Sequence, residues 1–140
     1  CNQIREVPTE LSLLENLEKI SMEGNQIQEI SEGIYGLRNL VNLNLDGNQI
    51  KIIPKELFTI TTLRDITMNE NQIRIIPKEI SVSKSLVSLS LANNQIREIP
   101  EEIISMGNLT RLSLYKNPIE EIPEKILDHF KNHLLIFMRK

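Results

Sequence analysis

Residues 86–96 read LVSLSLANNQI, and this stretch decides the fold. Its leucines alternate with polar residues, which predicts a short strand with one buried face, and the strand leads into an Asn-Gln-Ile turn. The asparagine of that turn recurs every 23 residues along the chain. The column consists of Asn2, Asn25, Asn48, Asn71, Asn94 and Asn117.

Apolar residues keep the same register around each asparagine. Leucine stands eight residues before it, leucine or isoleucine five before, and leucine or methionine three before. Isoleucine follows two residues after every asparagine, and five residues after it stands isoleucine or, once, Val7. A strand of about three residues cannot bury its apolar face alone, so we expect the repeats to stack into one parallel sheet.

The asparagine column predicts a hydrogen-bonded ladder. Neighbouring strands lie about 4.8 Å apart, and an asparagine amide both donates and accepts. Each asparagine can therefore satisfy backbone groups of the turn that leaves its strand. A proline closes every repeat except the second, where Ser31 stands, and the prolines predict short helical turns over residues such as 54–60 and 100–106.

The Leu-x-x-Leu-x-Leu-x-x-Asn-x-Ile string resembles the leucine-rich-repeat family over essentially the whole chain. Its Ile-Pro-x-x-Ile continuation, at a period of 23 residues, resembles the intracellular Ras-related group. The resemblance implies an α/β solenoid: a curved parallel sheet on the concave face, short helical or extended convex segments, and a C-terminal capping helix. We expect a single domain over residues 1–140, with a partial repeat at 1–16, complete repeats within 17–122 and the cap at about 123–140.

The two ends of the chain differ. Residues 118–140 read PIEEIPEKILDHFKNHLLIFMRK, with no further strand-and-asparagine unit. Apolar residues there share one helical face, which predicts the capping helix. They are Ile126, Phe130, Leu134, Phe137 and Met138. At the other end, Ile4, Val7 and Leu11 form the second half of a unit whose strand is expected upstream, so we expect a segment of a longer protein.

One convex core position breaks the pattern. Twelve residues after the asparagine, Leu37 and Ile60 are predicted to face the core, but the fourth repeat has Ser83 there. We favour an inward rotation of the neighbouring Val82. The alternative is that Ser83 lines a functional polar pocket.

Composition and charge exclude several function classes. The net charge is −3, so no basic field attracts nucleic acid or an anionic membrane. No apolar run approaches the ~18 residues that span a bilayer. Cys1 is the only cysteine, which excludes an internal disulfide framework and favours a reducing, cytoplasmic location.

No catalytic or cofactor motif is recognisable, so we expect neither enzyme activity nor a cofactor. His129 and His133 are four residues apart with Asp128 beside them, a spacing that can hold a metal ion. Because a third ligand is not evident, we favour a solvent-exposed pair and expect no metal. Asn108 begins a glycosylation sequence, but one match is expected by chance among so many asparagines.

In this fold the variable positions beside the strand leucines supply the concave surface, where we expect a protein partner to bind. Arg111 and Tyr115 are the residue types that usually dominate binding energy. A solvated face without a tight partner is the alternative interpretation. The predicted positions are Lys19, Ser21, Glu23, Asn42, Asn44, Asp46, Asp65, Thr67, Asn69, Glu70, Ser88, Ser90, Asn93, Arg111, Ser113, Tyr115 and Lys116.

A second candidate contact lies along one lateral edge. Three and four residues after the asparagine, most repeats pair a basic or polar residue with a glutamate, as in Arg97 and Glu98. The third and fourth repeats instead place Ile52 and Ile75 in the glutamate column. We expect both isoleucines to be exposed.

These features favour a protein-interaction module of an intracellular signalling or scaffolding protein. The family resemblance implies that a small GTPase-type signalling protein is one possible partner. One alternative is the regulatory arm of an enzyme, a kinase, phosphatase, GTPase or cyclase, whose catalytic domain lies outside this segment. Another is a secreted or surface adhesin of a microbe.

Overall fold

The computed structural model describes residues 3–130 and, for the backbone alone, residues 135–137. Six short strands form one parallel sheet in chain order. They are β1 (Lys19–Ser21), β2 (Asn42–Asn44), β3 (Asp65–Thr67), β4 (Ser88–Ser90), β5 (Arg111–Ser113) and β6 (Leu135–Phe137). From β1 to β5 each residue pairs with the residue 23 positions later, as Leu43 does with Ile66. The sequence period is therefore the register of the sheet, and the predicted solenoid is confirmed.

Short 3-10 helices form the opposite, convex side, as the prolines predict. Four of the five begin directly after a proline, whose ring holds φ near −65°. They span Thr9–Leu13, Glu32–Ile34, Lys55–Thr59, Lys78–Val82 and Glu101–Ser105. The second helix follows Ser31, whose hydroxyl donates to the Val7 carbonyl of the preceding repeat at 2.8 Å.

One continuous apolar core lies between the sheet and the 3-10 helices. It runs from Val7 to Phe130 and contains the predicted leucine, isoleucine and methionine columns. In β2, β3 and β4 only the middle residue is buried, while its two neighbours stay half-buried. The apolar columns thus hold the repeats together, and the polar positions remain at the surface.

The capping helix is present but shorter than predicted. Helix α1 spans Glu124–Phe130 and buries Ile126 and Phe130 against the last repeat. The sequence analysis placed residues 135–137 in the capping helix, but they form β6 beside β5. Pairing satisfies backbone groups that the edge of β5 would otherwise leave open, which favours a strand over another helical turn. Leu134 and Met138 lie outside the described residues.

The N-terminal edge of the solenoid exposes apolar side chains. Leu14 is 49% exposed, although its counterparts in later repeats, such as Ile60, are buried, and the neighbouring Leu13 is 77% exposed. No strand precedes β1 in the described residues, so this edge of the sheet is unpaired there. Cys1 and Asn2 lie outside the described residues.

The prediction for Val82 is wrong. Ser83 itself is buried at the convex core position, and Val82 points to solvent with 54% of its surface exposed. The backbone N–H of Ser83 donates to the Ile80 carbonyl, as the N–H of Ile60 does to Leu57 one repeat earlier. This shared backbone geometry fixes which residue faces inward, and an inward Val82 would require a one-residue slip that breaks it.

Candidate partner-binding surfaces

The predicted concave residues do come together on the side of the sheet that is turned away from the core, which we call the concave face. Two rows cross the strands in register. The first row is Lys19, Asn42, Asp65, Ser88 and Arg111, and the second is Ser21, Asn44, Thr67, Ser90 and Ser113. The other predicted residues lie in the turns after the strands: Glu23, Asp46, Asn69, Glu70, Asn93, Tyr115 and Lys116.

Asp65 is the centre of a polar network in the first row. One carboxylate oxygen accepts from the Asn42 amide at 3.0 Å, and the other lies 3.1 Å from the Arg111 guanidinium. Arg111 reaches Asp65 across β4, where Ser88 leaves room because its side chain is short. The Arg111 and Asp65 side chains are 61% and 35% exposed, so the ion pair adds little to stability and mainly orients the arginine.

A second network ties the turns of neighbouring repeats together. The Asp46 carboxylate accepts from the backbone N–H of Asn69 at 2.6 Å and from its amide at 3.2 Å. The Asn69 amide oxygen accepts in turn from the Ser90 hydroxyl and the Ala92 N–H. Asn44 accepts from the N–H of Asp46. These side chains bind backbone groups of the solenoid itself, which leaves them less available to a partner.

The sequence interpretation missed this structural use of the aspartate and asparagine side chains. A signal was present, because Asp46 and Asn69 share the position two residues before the ladder asparagine. Short Asx side chains at such positions often accept bonds from nearby backbone N–H groups. Only the three-dimensional register shows that the accepted N–H belongs to the next repeat.

Thr67 sits in the middle of the second row with an unsatisfied hydroxyl. Its Oγ1 atom is buried and has no hydrogen-bond partner within the described residues. Asn44 and Ser90 flank it in register, but both direct their polar atoms to the turns. Because this hydroxyl oxygen is inaccessible and unpaired, we expect it to lower stability and not to contact a partner.

The C-terminal end of the concave face carries the groups best suited to binding, which we call the rim. It consists of Arg111, Tyr115 and Lys116, all exposed. The Lys116 ammonium lies 5.2 Å from the centroid of the Tyr115 ring, within cation–π range. The ring and the ammonium together offer apolar area, a hydroxyl and positive charge, and Arg111 adds a second cation at the start of β5.

The lateral edge is exposed as predicted. Ile52 and Ile75 are 74% and 72% exposed. A groove between the fourth and fifth repeats runs beside Ile75 and is lined by Arg74, Gln95, Arg97, Glu98 and Pro118. A smaller groove lies beside Ile52, between the second and third repeats, and is lined by Gln28, Glu29, Lys51 and Pro54. The isoleucine pair is thus bordered by a depression on each side.

Within the described residues we searched for metal-ligand clusters and for membrane-spanning helices. No group of three or more histidine, cysteine, aspartate or glutamate side chains is placed there to hold a metal ion. His129 is exposed and packs its ring edge-on against Phe130, with centroids 4.9 Å apart. His133 lies outside the described residues. No helix in this part of the chain combines the length and apolar character needed to cross a membrane.

Similarity to known structures supports the same fold. A leucine-rich-repeat protein of Leptospira interrogans is 36% identical, with a TM-score of 0.87, and the match covers 96% of this chain and 34% of that protein. The ectodomain of the Arabidopsis thaliana receptor kinase GASSHO1/SCHENGEN3, solved with Casparian strip integrity factor 2, is 28% identical with a TM-score of 0.81. That match covers 96% of this chain and 17% of the ectodomain.

An internalin of Listeria monocytogenes shares the fold, with a TM-score of 0.81 at 24% identity over 96% of this chain and 38% of the internalin. The chain therefore spans little more than a third of these proteins at most. A comparison with curated protein sequences gives no significant match.

Family comparison agrees with the repeat geometry. A family model described as leucine rich repeat matches residues 1–50 and 38–96, and a second, described as leucine rich repeats in two copies, matches residues 84–132. Together with the 23-residue register of the sheet, these matches show that the chain belongs to the leucine-rich-repeat family.

Proposed function

We propose that this chain is a protein-interaction module that binds a partner through its concave face, with the rim as the main contact. The observation that carries the proposal is the exposed group of Arg111, Tyr115 and Lys116. Tyrosine and arginine are the residue types that most often dominate interface energetics. The Asp65 carboxylate already orients Arg111, which reduces the entropy lost when a partner binds.

The structural relatives support a polypeptide partner. The GASSHO1/SCHENGEN3 ectodomain is in complex with Casparian strip integrity factor 2, and the plant peptide hormone receptor RGFR1, 25% identical to this chain, is in complex with RGF2. We propose by analogy that the partner of this chain is also a protein or peptide. Leucine-rich repeats are typically non-catalytic interaction modules, and we propose the same role here.

For the cellular setting we propose a cytoplasmic signalling or scaffolding protein. The support is the resemblance of the 23-residue Ile-Pro-x-x-Ile repeat to the Ras-related group, which makes a small GTPase-type protein one candidate partner. A surface or secreted module is the second candidate, because one relative is a receptor ectodomain. Fractionation of native cells with an antibody to this chain separates the two: recovery from the medium or the cell surface would reject the cytoplasmic proposal.

The rim can be tested by comparing partners captured by matched variants. The wild-type chain, an Arg111→Ala, Tyr115→Ala variant and an Arg38→Ala control are immobilised, and proteins bound from native extract are quantified by mass spectrometry. Arg38 is an exposed arginine outside the concave face and controls for lost charge. We expect the rim variant to lose a partner that the control retains, and to bind that partner, once purified, about tenfold or more weakly. Identical partner sets for all three proteins would reject the rim.

A further inference from the structure

We propose that a second surface binds an acidic amphipathic helix of a partner protein. This surface, the lateral patch, consists of Lys51, Ile52, Arg74, Ile75 and Arg97. It lies on the lateral edge, where the chain leaves each ladder asparagine, and it does not overlap the rim. The proposal goes beyond concave-face binding and does not depend on it.

The first observation is the paired apolar exposure. Ile52 and Ile75 occupy equivalent positions in adjacent repeats, so they lie side by side about 4.8 Å apart. About three quarters of each side chain is open to solvent. The neighbouring repeats hold Glu29 and Glu98 at the same position, and both are exposed. The apolar patch is therefore local and bounded by carboxylates at both ends.

The second observation is a row of cations without carboxylate partners. Lys51, Arg74 and Arg97 follow one another on successive repeats, and no carboxylate lies within 4.0 Å of their charged groups in the described residues. Among the described residues, the only hydrogen bond of these charged groups joins Arg74 Nε to the Gln95 amide oxygen at 3.2 Å. Like charges in a row repel one another, so negative charge from a partner would relieve the repulsion.

At Lys51 and Arg74 the isoleucines themselves create this imbalance. Two other repeats place a glutamate directly after an arginine, as in Arg5 and Glu6. In the third and fourth repeats that glutamate is replaced by Ile52 and Ile75, which removes two negative charges and adds two apolar side chains. The complementary ligand must therefore supply both carboxylates and apolar groups along one line.

The spacing of the repeats favours a helix over an extended peptide. One turn of an α-helix advances about 5.4 Å, close to the repeat spacing of about 4.8 Å. Side chains on one face of an extended peptide recur about every 6.6 Å. Over the two repeat spacings from Lys51 to Arg97, the side chains of a helix fall out of register with the repeats by about 1 Å. Those of an extended peptide fall out of register by roughly 4 Å. The two grooves beside the isoleucines give the larger side chains of a helix room to insert.

A designed peptide tests this proposal directly. The probe is a capped, fluorescent peptide of about 15 residues, with glutamate and leucine at adjacent i, i+4 positions on one face and alanine and glutamine on the other. Fluorescence anisotropy measures its binding to the wild-type chain, to an Ile52→Glu, Ile75→Glu variant and to the Arg111→Ala, Tyr115→Ala variant. The same peptide with a scrambled order, and one with lysine in place of glutamate, serve as controls.

We expect saturable binding of the designed peptide to the wild type and to the rim variant, and binding about tenfold or more weaker to the isoleucine variant. Both control peptides should bind the wild type at least as weakly as the designed peptide binds the isoleucine variant. Because the two isoleucines are mostly exposed, the urea midpoint of the variant should match that of the wild type, which excludes misfolding as the cause.

Three results would overturn the proposal. They are no saturable binding of the designed peptide, equal binding of the scrambled peptide, and loss of binding in the rim variant but not in the isoleucine variant. Amide chemical shifts of labelled protein provide an independent readout, and they should change around residues 51–52, 74–75 and 97. Changes centred on β3 to β5 would instead place the peptide on the concave face, and the proposed function would stand without the lateral patch.

Discussion

At the scale of single residues, the buried asparagines of the described repeats bond to the backbone of a neighbouring repeat. Asn71 shows the pattern: its amide oxygen accepts from the N–H of Ile50 at 2.9 Å, and its amide nitrogen donates to the Leu45 carbonyl at 2.9 Å. Both partners belong to the preceding repeat. The sequence predicted the ladder but not that its bonds reach the preceding repeat, because spacing alone does not distinguish bonds within a repeat from bonds between repeats.

Replacing Thr67, by contrast, should stabilise the protein. Thr67→Val keeps the shape of the side chain and removes the buried hydroxyl that has no partner. We expect the free energy of unfolding to rise by about 1 kcal/mol. The matched control is Thr62→Val, whose hydroxyl donates to the Leu40 carbonyl at 2.8 Å, so its loss should cost about 1 kcal/mol. Urea denaturation measures both, and a loss of stability in Thr67→Val would contradict the assignment.

Tyr35 makes stability depend on pH in the alkaline range. Burial raises the pKa of its phenol above the ordinary value, and the nearby carboxylates of Glu56 and Glu32 raise the pKa further. The hydroxyl donates to the Ile30 carbonyl at 2.9 Å. Because the folded protein holds this proton more tightly than the unfolded chain does, the stabilisation is complete below about pH 10 and is lost as the pH rises beyond it.

The Tyr35 contribution can be isolated with Tyr35→Phe. We expect the difference in unfolding free energy between wild type and variant to stay constant from neutral pH to about pH 9 and then to shrink. Subtracting the variant removes the pH dependence that both proteins share. A difference that grows above pH 10 would show that the pKa shift has the opposite sign.

At the scale of elements, the turn after each strand has a feature that the sequence concealed. The residue before each described ladder asparagine has a positive φ of 54° to 68°. Only two of the five are glycines, the residue that adopts this conformation without strain. The five positions are Gly24, Gly47, Glu70, Asn93 and Lys116. The stacked register imposes the turn on all repeats alike, and tertiary packing compensates for the strain in the last three.

Gly47 provides a test of this strain. An alanine there would keep φ near 64° and would lie in van der Waals contact with the Gly24 backbone, so we expect Gly47→Ala to cost about 1 kcal/mol or more. Gly36→Ala is the matched control, because its φ is not positive and nothing lies within 4 Å of the added methyl group. Thermal unfolding should show a lower midpoint only for Gly47→Ala. Equal midpoints would mean that the turn can rearrange.

The secondary structure was largely predictable, with one informative failure. The positions of the 3-10 helices are predictable from the prolines. Proline has a fixed φ and lacks a backbone N–H, and the start of a helix tolerates both. Residues 135–137 were read as helix because their apolar residues fit a helical period. That period carries no information about the open edge of β5, and pairing with this edge decides the conformation of β6.

At the scale of the whole molecule, stability is the sum of contacts between neighbouring repeats. Replacing a central ladder asparagine should therefore lower the stability more than replacing a terminal one. Asn71 is buried with repeats on both sides, whereas Asn117 is only half-buried at the last one. Removing a buried ladder side chain leaves a backbone N–H and carbonyl unsatisfied, at about 1–3 kcal/mol each.

We expect Asn71→Ala to lower the free energy of unfolding by about 3 kcal/mol and Asn117→Ala by less. Asn16→Ala, at an exposed position outside the ladder, is the control and should change stability by less than about 0.5 kcal/mol. Urea denaturation ranks the three. If Asn117→Ala proves the more damaging, the cap and not the ladder dominates stability.

The candidate surfaces were predictable only in part. The sequence separates constant columns from variable ones, and it marked Ile52 and Ile75 as exposed. It did not foresee that Asp46 and Asn69 are bound to neighbouring turns or that the hydroxyl oxygen of Thr67 is buried. Such bonds join residues 21 or 23 positions apart, and their geometry appears only once the repeats are stacked.

The sequence by itself determined the solenoid, its register, the ladder and the apolar core, because a strict period leaves one way to bury every apolar column at once. Tertiary structure alone decided the inward Ser83, the positive φ of Glu70, the link between Arg111 and Asp65, and the strand at residues 135–137. The physical reason is common to all four. Each depends on how one repeat is seated against its neighbour, and no property of the residue itself expresses that contact.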